Sequence, residues 1–522
     1  MTVADGQGTW AVDPGLDGAS GADRALTWAV VLLATAWLAS VQLSFHGLYD
    51  LDSYFHVRAA EQLSLSGPQK TFPQATQSTW LDRYSDKDFL FHAFLIPFVR
   101  ADLFAGGKWA VVALDFLVLA SFALAIRTFG IRFGALWVFL LIATSPYYLT
   151  RLSSVRPHIL GVAFVTVEIA LLFRDRWKTL AVVAYLHVLA HSSFLLLPAL
   201  LVARIATSLL RREPFPRLVT AAVLGGIVVG SLLHPYFPNN LTLADQIVDI
   251  VRNVSANRAE IPREAFGSEL GPITWQSFLA QTPGWLPALA GLVLVVAVYG
   301  VRGWPAGDLY LTLVAGGLLV VASRSRRFVD VFVVAALLLA GALWTRLAGG
   351  RTMGALLRER ALVFVPCALA LLALAGWAGS RVVGMRDNFG RQAMGDVFAP
   401  AVAALGTLAA PGDVVYHNSW MDFAVLYGFR PDGRYISGLD PIFLYQHDPA
   451  LFAKNLGLSR GTGNATAIVS RDFGARWIWV TTQPRDQAFR KLLERSPGVR
   501  PVYRDAAAEI WQVLVPVGAT TP

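Results

Sequence analysis

The stretch Tyr49-Asp50-Leu51-Asp52-Ser53-Tyr54-Phe55-His56-Val57-Arg58 places two acidic residues directly after an apolar run from about Thr27 to Phe45. That run is long enough to cross a bilayer, so the carboxylates fall at the lipid–water boundary. Two aspartates two residues apart, followed by an aromatic, a histidine and an arginine, can bind a divalent cation, take a proton or stabilise positive charge on a sugar. Asp50 and Asp52 could equally do no more than solvate a helix end. Only the surroundings separate these readings.

Composition sets the class. Of 522 residues, 55% are hydrophobic and 15% charged, which excludes a soluble enzyme and predicts an α-helical polytopic membrane protein. Apolar runs near 27–45, 108–126, 133–149, 158–173, 178–190, 194–210, 217–233, 284–301, 308–322, 328–345 and 361–379 give about eleven transmembrane helices. The single cysteine, Cys367, lies in an apolar run and excludes an internal disulfide framework. The net charge of +9 is mostly arginine in short loops and points to anionic lipid head groups, not nucleic acid.

The basic loops fall on one side if the N-terminus is cytoplasmic and Phe89–Phe98 is an interfacial helix that does not cross. In this register residues 1–23 form a disordered tail and 24–380 a transmembrane domain with outer loops 46–105 and 234–283. Residues 381–522, where short β-rich runs alternate with helix candidates, form a small extracytoplasmic α/β domain. The plasma (inner) membrane is the expected location.

Several charged groups stand against the topological bias. Arg151 with Arg156, and Arg324 with Arg326 and Arg327, lie on the outer side, where an arginine fork suits the phosphate of a lipid carrier. Asp86 and Asp88 form a second acidic pair, and Asp88 and His92 share a helix face. His158 either caps the next span or faces the same cavity. Asp115, Glu168 and His187 lie inside apolar runs and require partners, most simply across helices. His191-Ser192-Ser193 forms an outer hairpin. In the C-terminal domain, Asn418 or Ser419 would cap a helix carrying Asp422.

Taken together, these residues resemble the GT-C superfamily of membrane glycosyltransferases, most closely the catalytic subunit of oligosaccharyltransferases. Asp52-Ser53-Tyr54-Phe55-His56-Val57-Arg58 matches the Asp-x-Tyr-aromatic-x-x-Arg pattern of that subunit's first outer loop. Tyr147-Tyr148-Leu149-Thr150-Arg151 is similar to its aromatic-Arg element, and Trp420-Met421-Asp422 to its acceptor-reading Trp-Asp element. The resemblance implies Asp52 as catalytic carboxylate, supported by Asp50 and His56. It implies a donor phosphate held by Arg324, Arg326, Arg327 and Arg156, and an acceptor held by Trp420 and Asp422. The family's second acidic motif belongs where this chain has Arg156-Pro157-His158, which cannot supply two carboxylates to a cation. A Mn²⁺ or Mg²⁺ site would then draw on Asp52, Asp88, His92 and His158.

The implied reaction is inverting transfer of a sugar from a polyprenyl-phosphate donor to a glycan, lipid or protein acceptor. A transporter would place polar residues on broken helices at the bilayer midplane in inverted repeats, and no repeat is visible. A membrane receptor or assembly factor would not need Asp50 and Asp52 aligned with arginines. The discriminating expectation is that Asp52, Asp88, His158 and Arg326 converge on one cavity.

Overall fold

The computed structural model describes residues 21–143, 145–242, 245–246, 248–249, 261–262, 269, 271–282, 285–300, 304–349 and 396–514, with isolated positions between 365 and 384. Helix α1 (Gly21–Gln42) begins inside the expected tail, whose first twenty residues lie outside the described set. The chain continues through α2 (Leu51–Ser66), α3 (Phe89–Val99), α4 (Leu103–Thr128), α5 (Gly134–Ala143), α6 (Pro146–Leu152), α7 (His158–Phe173), α8 (Trp177–Ala190), α9 (Leu197–Leu210) and α10 (Arg217–Leu232). After the second long loop come α11 (Trp285–Tyr299), α12 (Ala306–Arg324) and α13 (Val329–Ala348).

Among the described residues, five helices have the length and apolarity of a membrane span, and one bent pair, Trp275–Gln281 with Trp285–Tyr299, brings the total to six at most. The expectation of about eleven is not confirmed by helices of that length. Apolar runs read from sequence ignore breaks that backbone polar groups impose. The run 133–149 is cut at Ser145, whose side chain accepts the Tyr148 N–H and caps a new helix, leaving only ten continuous residues in α5. Other predicted runs form shorter apolar helices, and 361–379 lies almost wholly outside the described residues. Helix α3 spans eleven residues, too short to cross, and packs against α2, α4 and α8. Helix α13 is apolar all round and buried along nearly its whole length, which makes it the centre of the bundle.

The C-terminal domain begins with α14 (Ala399–Leu408), followed by β1 (Val414–His417), α15 (Met421–Phe429) and β2 (Arg434–Tyr435). Strands β3 (Trp477–Thr481), β4 (Val499–Arg504) and β5 (Ala508–Val513) complete a five-stranded sheet ordered β2-β1-β3-β5-β4. β1 is parallel to both β2 and β3, while β5 is antiparallel to β3 and β4. Four of the five strands fall within about two residues of the β-rich runs 414–417, 477–481, 500–503 and 510–515 of the sequence, and the fifth on the run 434–437. β2 stops at Tyr435, because Ile436 pairs outward instead of along the sheet.

The partner there is the first long loop. Tyr435 donates its N–H to the Gln74 carbonyl at 2.6 Å, and Thr76 and Gln77 donate to the Tyr435 and Ile436 carbonyls at 2.8 and 2.9 Å. The loop therefore joins the sheet edge through a single parallel bridge, Ala75 opposite Tyr435. Aromatic packing reinforces the join: Trp80 lies 4.6 Å from Phe443, and Phe55 lies 5.7 Å from Tyr427. Such pairs contribute about 0.5–1.5 kcal/mol each beyond their buried area.

Candidate active site

Helix α2 presents the acidic pair because its start is fixed from both ends. Asp50 has extended backbone and accepts the Asp52 N–H at 3.1 Å, so it is the N-cap of α2, as the simpler reading of the pair allows. Tyr54 donates to Asp396 Oδ1 at 2.8 Å and accepts from the Leu48 N–H. Arg58 donates through Nε and Nη2 to the Gly428 carbonyl at 2.9 and 2.7 Å. Gly428 packs so closely that a Cβ there would stand 2.6 Å from Tyr54 Cβ. The Tyr and Arg of the motif thus dock α2 onto α15, and Asp52, Phe55 and His56 are left facing a cavity.

That cavity, of about 140 Å³, is lined by Asp52, His56, Asp86, Lys87, Asp88 and His92 from the first loop. Arg151, Arg156, His158, His191, Glu269 and Arg327 close it from the helical domain, and Trp420, Asp440 and Phe443 from the α/β domain. Ser53 accepts the Val155 N–H at 3.0 Å, which brings the segment carrying Arg156 against α2.

Arg156 is the hub. Its Nη2 lies 3.0 Å from Asp52 Oδ2, and its Nη1 lies 3.0 Å from Asp50 Oδ2 and 2.7 Å from Glu269 Oε1. Glu269 Oε2 meets Arg151 at 3.3 Å and Arg327 at 3.8 Å, and Arg151 Nε is 2.9 Å from Asp330. Burial pushes the Asp52 carboxyl up to about 6, against the pull of Arg156 and with the repulsion of Asp50 and Glu269. Burial also raises Glu269, but Arg156, Arg151 and Arg327 together hold it well below the usual carboxylate range. Asp52 is therefore the carboxyl in this group best suited to exchange a proton, and Glu269 a fixed negative charge.

A second chain of groups runs behind it. His56 Nδ1 is 2.8 Å from His92 Nε2, and His92 Nδ1 is 2.6 Å from Asp86 Oδ2. Burial and the neighbouring His92 and Arg156 hold His56 well below its ordinary value. For His92, burial pulls the value down but Asp86 outweighs it, and the net shift is upward. Burial raises Asp88 to about 6, with Lys87 opposing.

The expected metal donors share the cavity but do not form a coordinating set. His92 uses both ring nitrogens on Asp86 and His56, and His158 Nε2 bonds the Arg151 carbonyl at 3.0 Å. Asp52 faces the Arg156 guanidinium, so a cation already stands where a divalent ion would. Among the described residues no cluster of three His, Cys, Asp or Glu could hold a metal ion. These residues do not fit a Mn²⁺ or Mg²⁺ site in this arrangement.

Other expectations shift by one position. Arg327 lines the cavity, whereas Arg324 and Arg326 do not; the Arg326 N–H is bonded to the Gly271 carbonyl at 3.2 Å. Of the four residues expected to converge, Asp52, Asp88 and His158 line the cavity, and Arg327 stands there in place of Arg326. Trp420 faces the cavity, while Asp422 is turned into the α/β domain, where Arg485 Nη2 lies 2.5 Å away. Despite that ion pair, burial, with the nearby charge of Asp486, pushes Asp422 up to about 7. Sequence reasoning missed Glu269, a single charge in a loop, and Lys87, passed over between Asp86 and Asp88. Glu168 finds its partner across helices in His187 at 2.7 Å, whereas neither Asp115 oxygen has one among the described residues.

No protein-family model matches this sequence, and no curated protein does. Solved structures do. ArnT from Cupriavidus metallidurans bound to undecaprenyl phosphate superposes with a TM-score of 0.58 at 14% identity, over 93% of this chain and 97% of its own. The Archaeoglobus fulgidus oligosaccharyltransferase gives 0.57 at 11% identity, over 87% of this chain and 69% of its own. Mycobacterial arabinofuranosyltransferase AftD gives 0.55 at 15% identity over 93% of this chain, which spans only 40% of AftD. All three are GT-C glycosyltransferases. At these identities the likeness is one of architecture, and the architecture of this chain is the GT-C membrane fold.

Proposed function

We propose that this protein is a GT-C-type membrane glycosyltransferase that moves a sugar from a polyprenyl-phosphate-linked donor to an acceptor, with inversion, on the outer face of the plasma membrane. The N-terminus is then cytoplasmic and the α/β domain extracytoplasmic. The observation that carries this reading is a partly buried carboxyl able to exchange a proton, Asp52, in one cavity with two cations, Arg327 and Lys87, at the junction of the helical and α/β domains.

Asp52 takes the proton from the acceptor nucleophile as that atom attacks the anomeric carbon from the face opposite the leaving group. The bond from the anomeric carbon to the phosphate oxygen breaks, and the lipid phosphate leaves with the electron pair. Neutralising that charge is the main electrostatic task. Arg327 meets it best: its contact with Glu269 is loose at 3.8 Å and its side chain is 35% exposed. Lys87 lines the cavity with no ion pair among the described residues. Arg156 is committed to three carboxylates, so its part is to hold Asp52 and Asp50 in place instead of binding phosphate. His56, with His92 and Asp86 behind it, supports Asp52. Trp420 is the acceptor-side contact, and the acceptor class stays open among glycan, lipid and protein.

The fold supports the donor class: ArnT is solved with undecaprenyl phosphate, and the Archaeoglobus fulgidus enzyme with a dolichol-phosphate. The test is transfer of a labelled sugar from polyprenyl-phosphate donor in membranes containing the wild-type protein or Asp52→Asn. Equal transfer by both would overturn the reading.

A further inference from the structure

A chain of four polar side chains that the mechanism above does not use leads from the helical interior to the cavity wall. Glu168 on α7 lies 2.7 Å from His187 Nδ1 on α8. His187 Nε2 lies 2.8 Å from Ser193 Oγ, and Ser193 Oγ lies 2.8 Å from His191 Nδ1. Phe164 stacks on the His187 ring at 4.9 Å and 9°, which fixes its plane. Glu168 and His187 are fully buried, and Ser193 is 8% exposed. His191, at the end of the chain, lines the cavity beside Lys87 and Arg327.

The hydrogen-bond directions settle which ring nitrogen of His191 carries the proton. His191 caps the short 3₁₀ turn Ser192–Leu196, and its Nδ1 accepts the Ser193 backbone N–H at 3.2 Å. A nitrogen that accepts an N–H holds a lone pair, so in the neutral ring the proton sits on Nε2. The rest of the chain agrees. Ser193 donates its hydroxyl to His191 Nδ1 and accepts from His187 Nε2–H, while His187 and Glu168 share one proton between Nδ1 and Oε1. His191 Nε2 has no partner among the described residues and is not shut away from the cavity. Gly161 on α7 permits the arrangement, since a Cβ there would stand 2.5 Å from Ser193 Oγ and 2.7 Å from His191 Nδ1.

We propose that His191 is a ligand-binding residue of the cavity, held by Ser193, His187 and Glu168 as a fixed Nε2–H donor to a phosphate oxygen of the donor. The inference rests on the glycosyltransferase reading and refines its donor subsite. The ligand is assigned by chemistry: a neutral N–H with no partner of its own among the described residues, in a cavity that two cations also line, suits an oxygen of an anion that Arg327 and Lys87 neutralise. Fixing its tautomer through three other side chains secures a donor that a freely turning histidine would present only part of the time.

The test is binding of a short-chain polyprenyl monophosphate, and separately of inorganic phosphate, to the purified full-length protein in detergent. His191→Ala should weaken both about tenfold or more, the scale of one hydrogen bond to a charged group. His191→Gln, which returns an N–H at the reach of Nε2, should recover most of the loss. Gly161→Ala removes no polar group but pushes on Ser193 and His191, and it should weaken binding in parallel with His191→Ala. Wild-type binding by His191→Ala, with binding lost in Arg327→Ala, would overturn this inference and leave the function standing. A loss for the lipid but not for inorganic phosphate would also overturn it, by placing His191 on the chain. Wild-type binding by His191→Ala and Arg327→Ala alike would remove the phosphate subsite itself, and the functional reading with it.

Discussion

The Arg156 guanidinium stands 3.0 Å from the Asp52 carboxylate and spans from it to Asp50 and Glu269, so one side chain holds three acids at the mouth of α2. A cation is thereby built into the site covalently. Treatment with a chelator should leave sugar transfer unchanged in membranes carrying the wild-type protein. Loss of transfer on chelation, restored by Mn²⁺ or Mg²⁺, would show that the site rearranges to admit an ion.

Replacing Arg156 tests the same relationship from the protein side. Arg156→Met leaves three partly buried carboxylates facing one another, and removing one member of such a group costs about 3 kcal/mol or more. A lowered melting temperature in detergent is expected, together with loss of transfer. Arg156→Lys keeps the charge but cannot fork to three partners, and it should recover stability better than activity.

Asp52→Asn keeps shape and removes basicity. Transfer, normalised to protein level, should fall by at least ~100-fold, the lower end of what a general base supplies. The variant should still insert and fold, because Arg156 retains Asp50 and Glu269 as partners. Asp50→Asn should be milder on activity, since the asparagine side chain can still cap α2.

Arg327→Ala removes the cation assigned to the departing phosphate. Loss of one preorganised electrostatic donor typically lowers turnover about 10²–10³-fold, and that range is expected here in single-turnover transfer assays. Arg324→Ala, outside the cavity, should behave as wild type in the same assay.

Gly428→Ala bears on how the two domains are joined. The added methyl would stand 2.6 Å from Tyr54 Cβ and 3.2 Å from the Tyr54 backbone, so α15 must lift from α2. Overpacking of this kind costs about 1–3 kcal/mol. Thermal unfolding should shift down, and transfer should drop through displacement of Asp52, without any change to a polar group.

Much of this chain is readable from local pattern. The apolar runs mark the helical domain, and the alternating runs after about residue 410 mark the strands, because both signals depend on periodicity within one segment. The Asp50–Arg58 stretch announces a site for the same reason, since its groups are neighbours in sequence. Helix count was less legible: hydropathy cannot see that the Ser145 side chain caps a new helix and cuts one run in two.

Pairing across distance was not legible at all. The sequence by itself determines that Asp52 stands at the end of an apolar span, that arginines cluster on one side, and that a small α/β domain follows. Only the tertiary structure decides that Glu269, more than two hundred residues away, shares Arg156 with Asp52, and that Arg327 and not Arg326 reaches the cavity. It also decides that three of the four expected metal donors, Asp52, His92 and His158, are spent on hydrogen bonds and an ion pair, while Asp88 Oδ1 is buried with no partner among the described residues. The physical reason is that a helix or strand repeats along one chain, whereas the partner of a buried charge is set by whichever distant group the packed core brings within about 3 Å.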